Sequence, residues 1–212
     1  FDIKTRIVKV VSELFLFVLS VVTLIQPAIY NHYPICHSDL GSYLVSGFEK
    51  TVTSFRPFLY GFLLRHITMG HSLWFMVVFQ AILVSLTIYL LFRYVYTFRN
   101  AMFKTFVTAI VLATITTMAF YVCHVIADIF STIGIISVLI LFNANKNHCL
   151  LNVYAIILLV VSGLVHYSNL GAYTVVVAIL IVFLFIFIKK KWNPYNWEKL
   201  IIPFASVISL WL

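Results

Sequence analysis

Two carboxylates in this chain are suited to moving a proton or holding a cation. Asp39 lies in His37-Ser38-Asp39-Leu40-Gly41-Ser42-Tyr43-Leu44, and Asp128 in His124-Val125-Ile126-Ala127-Asp128-Ile129-Phe130-Ser131. Asp39 has two readings. It is an acid in the first turn of a helix, complementing the helix dipole, or a carboxylate that accepts a proton from a nucleophile or binds a divalent cation. Asp128 either caps the helix it starts or, if that helix extends back by a turn, shares a face with His124 four residues earlier. A His–carboxylate pair of that kind orients a substrate or shuttles a proton. Arg56, ahead of Pro57 in a mainly apolar stretch, binds bulk lipid phosphate or offers its guanidinium fork to one lipid-linked phosphate. Arg65 carries the same two readings. His166, in His166-Tyr167-Ser168-Asn169, is a solvated interfacial histidine or a functional one. The histidines show no His-x-x-x-His spacing, so no zinc site is expected. Cys36, Cys123 and Cys149 share no metal-like spacing and, being odd in number, suggest no disulfide framework.

The elements that must position these groups follow from composition. Of 212 residues, 63% are hydrophobic and 9% are charged, with 20 Phe and 12 Tyr; soluble domains carry about 45–50% apolar and about 25% charged residues. A water-soluble globule is excluded, and the chain reads as an all-α polytopic membrane protein. At about 20 residues per span, its length holds six to eight helices and leaves no room for a separate soluble domain. No Gly-rich phosphate or dinucleotide fingerprint occurs. The net charge of +8 sits in short loops between apolar runs, which is an orientation signal and not a nucleic-acid stripe.

Spans are expected at residues 7–30, 71–92, 105–123, 127–142, 149–166 and 170–188. The first is too long for a signal-peptide core and lacks a small-residue cleavage site. A seventh begins at Lys199 and reaches only about 21 Å by Leu212 at about 1.5 Å per residue, short of the roughly 30 Å hydrocarbon core. With Phe1 as first residue, the chain reads as a fragment truncated at its C-terminus. If the N-terminus is cytoplasmic, Lys4, Arg6, Lys9, Arg93, Arg99, Lys104, Lys146, Lys189, Lys190, Lys191 and Lys199 fall inside, against Lys50, Arg56 and Arg65 outside. That is a strong positive-inside bias. Lys9 and Glu13, four residues apart near the inner end of the first span, need no more than snorkelling.

Residues 31–70 then form a long outer connection. Leu40, Leu44 and Phe48 recur every fourth residue, the pattern of an amphipathic helix lying in the interface. Ser54 is placed to cap a second helix with Pro57 in its first turn; Phe58, Leu59, Phe62, Leu63 and Ile67 give it an apolar side, with Arg65 and His66 near its end. With the sides assigned this way, Asp39, Glu49 and Asp128 all lie at the outer boundary, together with His32, His37, His66, His71, His124 and His166. Only His148 lies inside. Ionisable groups at membrane depth are costly and usually face a cavity or a partner. An outward-facing active site or permeation mouth has this distribution.

One span, an outer loop with an early acid, Phe55-Arg56-Pro57-Phe58-Leu59-Tyr60-Gly61-Phe62-Leu63-Leu64, a further span, and a second acid in Ala127-Asp128-Ile129-Phe130 form an ordered set. The set resembles the amino-terminal transmembrane module of GT-C fold polytopic glycosyltransferases, the class of protein O-mannosyltransferases and lipid A aminoarabinose transferases. The resemblance covers essentially all of residues 1–212. Residues 55–64 look like that class's Arg-Pro-Pro-x-Tyr-Pro pattern, with Phe58 and Gly61 where proline is common. Many members have adjacent acids in the first loop, whereas Leu40 follows Asp39 here. The resemblance implies about seven spans, with two interfacial helices in the loop at 31–70. It also implies a transferase that takes a sugar from a polyprenyl-phosphate donor and passes it to a lipid, glycan or protein acceptor. Asp39 would be the general base and Asp128 its support, through hydrogen bonding or a divalent cation. Arg56, with Arg65 or His166, would stabilise the leaving phosphate, and Tyr43, His37 and His124 would line the substrate site. The setting expected is a bacterial cell membrane with the site facing outwards; an endoplasmic reticulum protein would show the same pattern with the lumen as outside. The competing class is a transporter or flippase using the outward acids and histidines. Such a protein should carry acids or broken helices near the midplane, and spans two to six have no acid deep inside. A third reading is a non-catalytic membrane subunit.

Overall fold

The computed structural model describes residues 3–52, 56–143, 148–166 and 168–187. Over these residues the chain is helical, with a parallel bridge between Ile35 and His124 and no extended strand. The helices are α1 (Ile3–Tyr30), α2 (Leu40–Glu49), α3 (Phe58–Thr68), α4 (Trp74–Leu90), α5 (Ala101–Ile115), α6 (Met118–Cys123), α7 (Ile129–Asn143), α8 (Cys149–Val165) and α9 (Ser168–Phe187). Thr5–Tyr30, and Trp74–Val95 with its closing π turn, are long and apolar enough to cross a membrane; Ala101–Ile115, Ile129–Asn143 and Cys149–Val165 are shorter apolar helices. Ser54, Lys146, the lysines at 189–191 and the stretch from Lys199 lie outside the described residues.

The chain divides into two compact units, Phe1–Gly41 with Leu64–Ile126, and Ser42–Leu63 with Ala127–Leu212. In the first, α1 packs on α4, α5 and α6. Only the last third of α1 is covered. Ser20, Val21, Leu24, Ile25 and Ala28 share one face and are buried, whereas Ile7, Val8, Val11, Leu14, Phe15 and Val18 are bare. α1 stops at Tyr30, where the Asn31 N–H bonds back to the Pro27 carbonyl at 3.0 Å and His32 turns the chain with a φ of 56°. The extended residues beyond are held by Ile35 N–H to Cys123 O (3.0 Å) and Val125 N–H to Ile35 O (3.1 Å).

The third expected span, 105–123, is not one helix. α5 ends at Ile115, Thr116 is extended with φ −120° and ψ 172°, and the separate α6 follows. The cause is a run of β-branched hydroxyl residues. Thr114 Oγ1 bonds the Ile110 carbonyl at 2.8 Å, and Thr116 Oγ1 bonds the Leu112 carbonyl at 2.6 Å and accepts the Met118 N–H at 3.1 Å. Hydroxyls that bond the local backbone compete with helix continuation, and here they end one helix and start the next.

In the second unit, α7, α8 and α9 pack pairwise. Gly134 on α7 makes room for the Tyr173 hydroxyl, which sits where its Cβ would be. α2 and α3 meet through Gly47 and Gly61: a Cβ on Gly47 would overlap the Gly61 carbonyl, and one on Gly61 would lie 2.5 Å from the Tyr43 carbonyl oxygen. The buried residues of α2 are Leu40, Tyr43, Ser46 and Gly47, while Leu44 is half-buried and Phe48 exposed. On α3, Tyr60, Gly61 and Leu64 are buried, Phe58, Leu59, Leu63 and Ile67 are half-buried, and Phe62 is exposed. Small residues let two backbones approach closely, as they do where helices associate in an apolar solvent; Tyr43 and Tyr60 pack against each other within the contact, while Phe48 and Phe62 lie outside it. α3 starts at Phe58, which leaves Pro57 just ahead of the first turn.

Candidate functional site

Each acid stands directly before the first residue of a helix, Asp39 before α2 and Asp128 before α7. In the first unit, residues 36–40 form a tight turn. The Leu40 N–H bonds the His37 carbonyl at 3.0 Å, and the Asp39 N–H bonds His37 Nδ1 at 3.4 Å. Ser38 Oγ lies 3.3 Å from the same nitrogen, and Asp39 Oδ2 lies 3.5 Å from it. A neutral His37 uses Nδ1 to accept from the backbone, and a protonated one pairs with the carboxylate instead. The Asp39 side chain is 26% exposed, so it is reachable from outside while anchored by its own turn.

His124 ends up elsewhere than the sequence suggests. α6 stops at Cys123 and His124 is extended with ψ 132°, so α7 does not reach back and the helical spacing from His124 to Asp128 does not exist. The cause is the bridge to Ile35, reinforced by Gln80. This fully buried residue of α4 donates through Nε2 to the Val122 carbonyl at 2.8 Å and to the His124 carbonyl at 2.9 Å. Those carbonyls are the ones a continuing helix would have used. The His124 ring meets Tyr121 edge-on at 6.4 Å.

In the second unit, Asp128 finds a different partner: His166, just past the end of α8, places Nε2 at 3.2 Å from Asp128 Oδ1. Ser168 Oγ is 2.7 Å from the other ring nitrogen, Nδ1. Beneath this pair, a buried polar network ties the three helices. Ser131 Oγ bonds Asn169 Oδ1, Asn169 Nδ2 donates to the Ser162 carbonyl at 2.8 Å, and Ser162 Oγ bonds both the Phe130 carbonyl and the Tyr173 hydroxyl. Asn169 is 2% exposed and Ser162 0%, so the start of α7, the end of α8 and the start of α9 are locked together. Tyr43 and Tyr60 pack edge-on at 4.6 Å, and Tyr60 meets Phe130 at 6.1 Å. Burial pushes the Tyr60 phenol well above its usual value, and Tyr43 and the Asp128 carboxylate push the same way. Tyr60 is thus a neutral hydroxyl within electrostatic reach of Asp128.

Arg56 is half-buried ahead of α3, and Arg65 is half-buried in its last turn. His66 and His71 are exposed, and His32 serves the turn after α1. Tyr60, Ser162, Ser168, Asn169 and Tyr173 were not singled out by sequence. The buried polar residues among them lie in apolar runs, a signal that their hydroxyls and amide must find partners. Among the described residues no group of three or more His, Cys, Asp or Glu side chains forms a metal-binding set. No protein-family model, curated protein or solved structure matches this chain.

Proposed function

We propose that the chain is a polytopic membrane protein of about seven spans that transfers a sugar from a polyprenyl-phosphate donor to an acceptor hydroxyl on the extracytoplasmic face of a bacterial cell membrane. The observation that carries this reading is the Asp128–His166 pair, 3.2 Å apart and backed by a buried polar network where α7 begins and α8 ends. A prearranged acid–imidazole pair at the mouth of apolar helices suits proton handling better than lipid packing. The bare apolar face of α1 supports the membrane setting, because contiguous exposed apolar surface marks contact with lipid or protein. The distribution of Lys and Arg supports the orientation.

In this reading Asp39 takes the proton from the acceptor hydroxyl, whose oxygen attacks the sugar carbon opposite the phosphate. The bond from that carbon to the phosphate oxygen breaks, giving inversion, and Arg56 meets the charge growing on the phosphate. Arg65 adds to the cationic rim. Asp128 holds His166 in one orientation. The transfer needs only differential stabilisation of that charge, which fixed cations and donors supply.

Native mass spectrometry of gently extracted protein tests the donor class. A bound polyprenyl phosphate, or its glycosylated form, is expected and should be lost in Arg56→Ala. Bulk phospholipid alone, from a well-folded sample, would move the assignment to a transporter. Asp39→Asn should abolish sugar transfer without unfolding the protein, and full activity in that variant would remove Asp39 as base.

A further inference from the structure

Ser168 opens α9 two residues after His166 and has no part in the sugar transfer set out above. Its hydroxyl oxygen lies 2.7 Å from His166 Nδ1, while Nε2 on the other side of the ring lies 3.2 Å from Asp128 Oδ1. A carboxylate only accepts hydrogen bonds, so in the neutral ring Nε2 carries the proton and Nδ1 presents a lone pair. The Ser168 hydroxyl therefore donates to Nδ1. Hydroxyl, imidazole and carboxylate form one hydrogen-bonded chain, the arrangement that activates a serine, with the two ring nitrogens exchanged relative to the serine-protease triad.

The surroundings suit a reacting serine. Ser168 is exposed, whereas the His166 side chain is 23% exposed and held from the far side. The Asn169–Ser162–Tyr173 network fixes the first turn of α9 behind it. By helix geometry, the N–H groups of that first turn have no acceptor within the helix; that of Asn169 is taken by the His166 carbonyl at 3.1 Å, and the space beside Gly171 is open. A carbonyl oxygen placed there would meet the positive end of the helix. Charge selects the electrophile. With neutral His166 the hydrogen-bonded chain carries the negative charge of Asp128, which disfavours an anionic electrophile at Ser168 Oγ itself and leaves an uncharged carbonyl favoured.

We propose that Ser168 is a nucleophile that takes an acyl group from a neutral carboxylic ester, an activity separate from sugar transfer. Ser168 Oγ bonds to the carbonyl carbon as its proton passes to His166 Nδ1. The carbon–oxygen bond to the alcohol then breaks, and the alcohol leaves with that proton. Water or an acceptor hydroxyl releases the acyl group by the same steps in reverse.

The test is labelling of the full chain in detergent with a biotinylated fluorophosphonate, with peptide mapping of the modified site. Ser168 should be labelled selectively. Ser168→Ala should remove the label, and His166→Gln should slow labelling at least about a hundredfold, the loss expected when a general base is removed. Gln keeps a donor for Asp128 but cannot take a proton, and thermal melting of each variant confirms that it is folded. Ser168 labelling no faster than other exposed serines in folded wild-type protein, or unchanged in folded His166→Gln, overturns the proposal.

Discussion

Gly41 and Gly47 sit six residues apart in α2, and the same substitution should have opposite effects at the two. A Cβ at Gly41 meets nothing within 4 Å, whereas one at Gly47 overlaps the Gly61 carbonyl and lies 3.2 Å from Gly61 Cα. The obstruction is backbone, so no side-chain rotation relieves it. Restoring contact near 3.5 Å requires α2 and α3 to part by roughly 1 Å or more. Overpacking of this kind costs about 1–3 kcal/mol, and loosening the edge-on Tyr43–Tyr60 pair adds about 0.5–1.5 kcal/mol. Less the about 0.5–1 kcal/mol that Gly→Ala gains in a helix, Gly47→Ala should destabilise by about 0.5–4 kcal/mol. Gly41→Ala removes backbone freedom from the unfolded chain and should stabilise by about 0.5–1 kcal/mol. At about 2–4 °C per kcal/mol, thermal unfolding in one detergent should separate the two variants by roughly 10 °C. Gly47→Ala/Gly61→Ala should cost less than the sum of its parts, because both residues serve one contact. A Gly47→Ala protein that melts at or above Gly41→Ala would refute the close packing of α2 on α3.

Gln80→Leu should destabilise the first unit by about 2–4 kcal/mol, because it removes the Gln80 donor from the buried Val122 carbonyl, at about 1–3 kcal/mol, and from the part-buried His124 carbonyl, at about 1 kcal/mol; denaturant titration reads this, and an unchanged midpoint argues against the Gln80 tether. Tyr60 gives a pH test. Its folded pKa lies above the ordinary 10.0, so the stability held by its neutral phenol is whole below pH 10.0 and is lost as pH rises towards the folded value. Melting curves between about pH 9 and about pH 12 should fall less steeply in Tyr60→Phe than in the wild type, and parallel curves would remove Tyr60 as the source.

Most helices were legible because each is written in a local apolar run. α1, α4, α7, α8 and α9 start and stop within a few residues of the runs that encode them. The break at Thr116 was also present locally, in the threonines at 114, 116 and 117, but hydropathy treats Thr as nearly neutral and passes over hydroxyls that bond the backbone. The contact between α2 and α3 was hidden for a different reason. Periodicity in large apolar residues locates a buried face when water is the alternative, and at this contact the glycines and Ser46 lie inside while Phe48 and Phe62 lie outside.

The candidate site divides along the same line. By itself the sequence determined that Asp39 and Asp128 would each stand at a helix start, because helix start signals are carried by neighbouring residues. It did not determine the partner of Asp128. His124 was close in sequence and His166 lies thirty-eight residues further on, yet the bridge to Ile35 and the Gln80 tether keep the chain at His124 extended, and the packing of α7 on α8 brings His166 to the carboxylate. Hydrogen bonds reach about 3 Å whatever the separation along the chain, so which imidazole meets Asp128 was decided only when the helices packed.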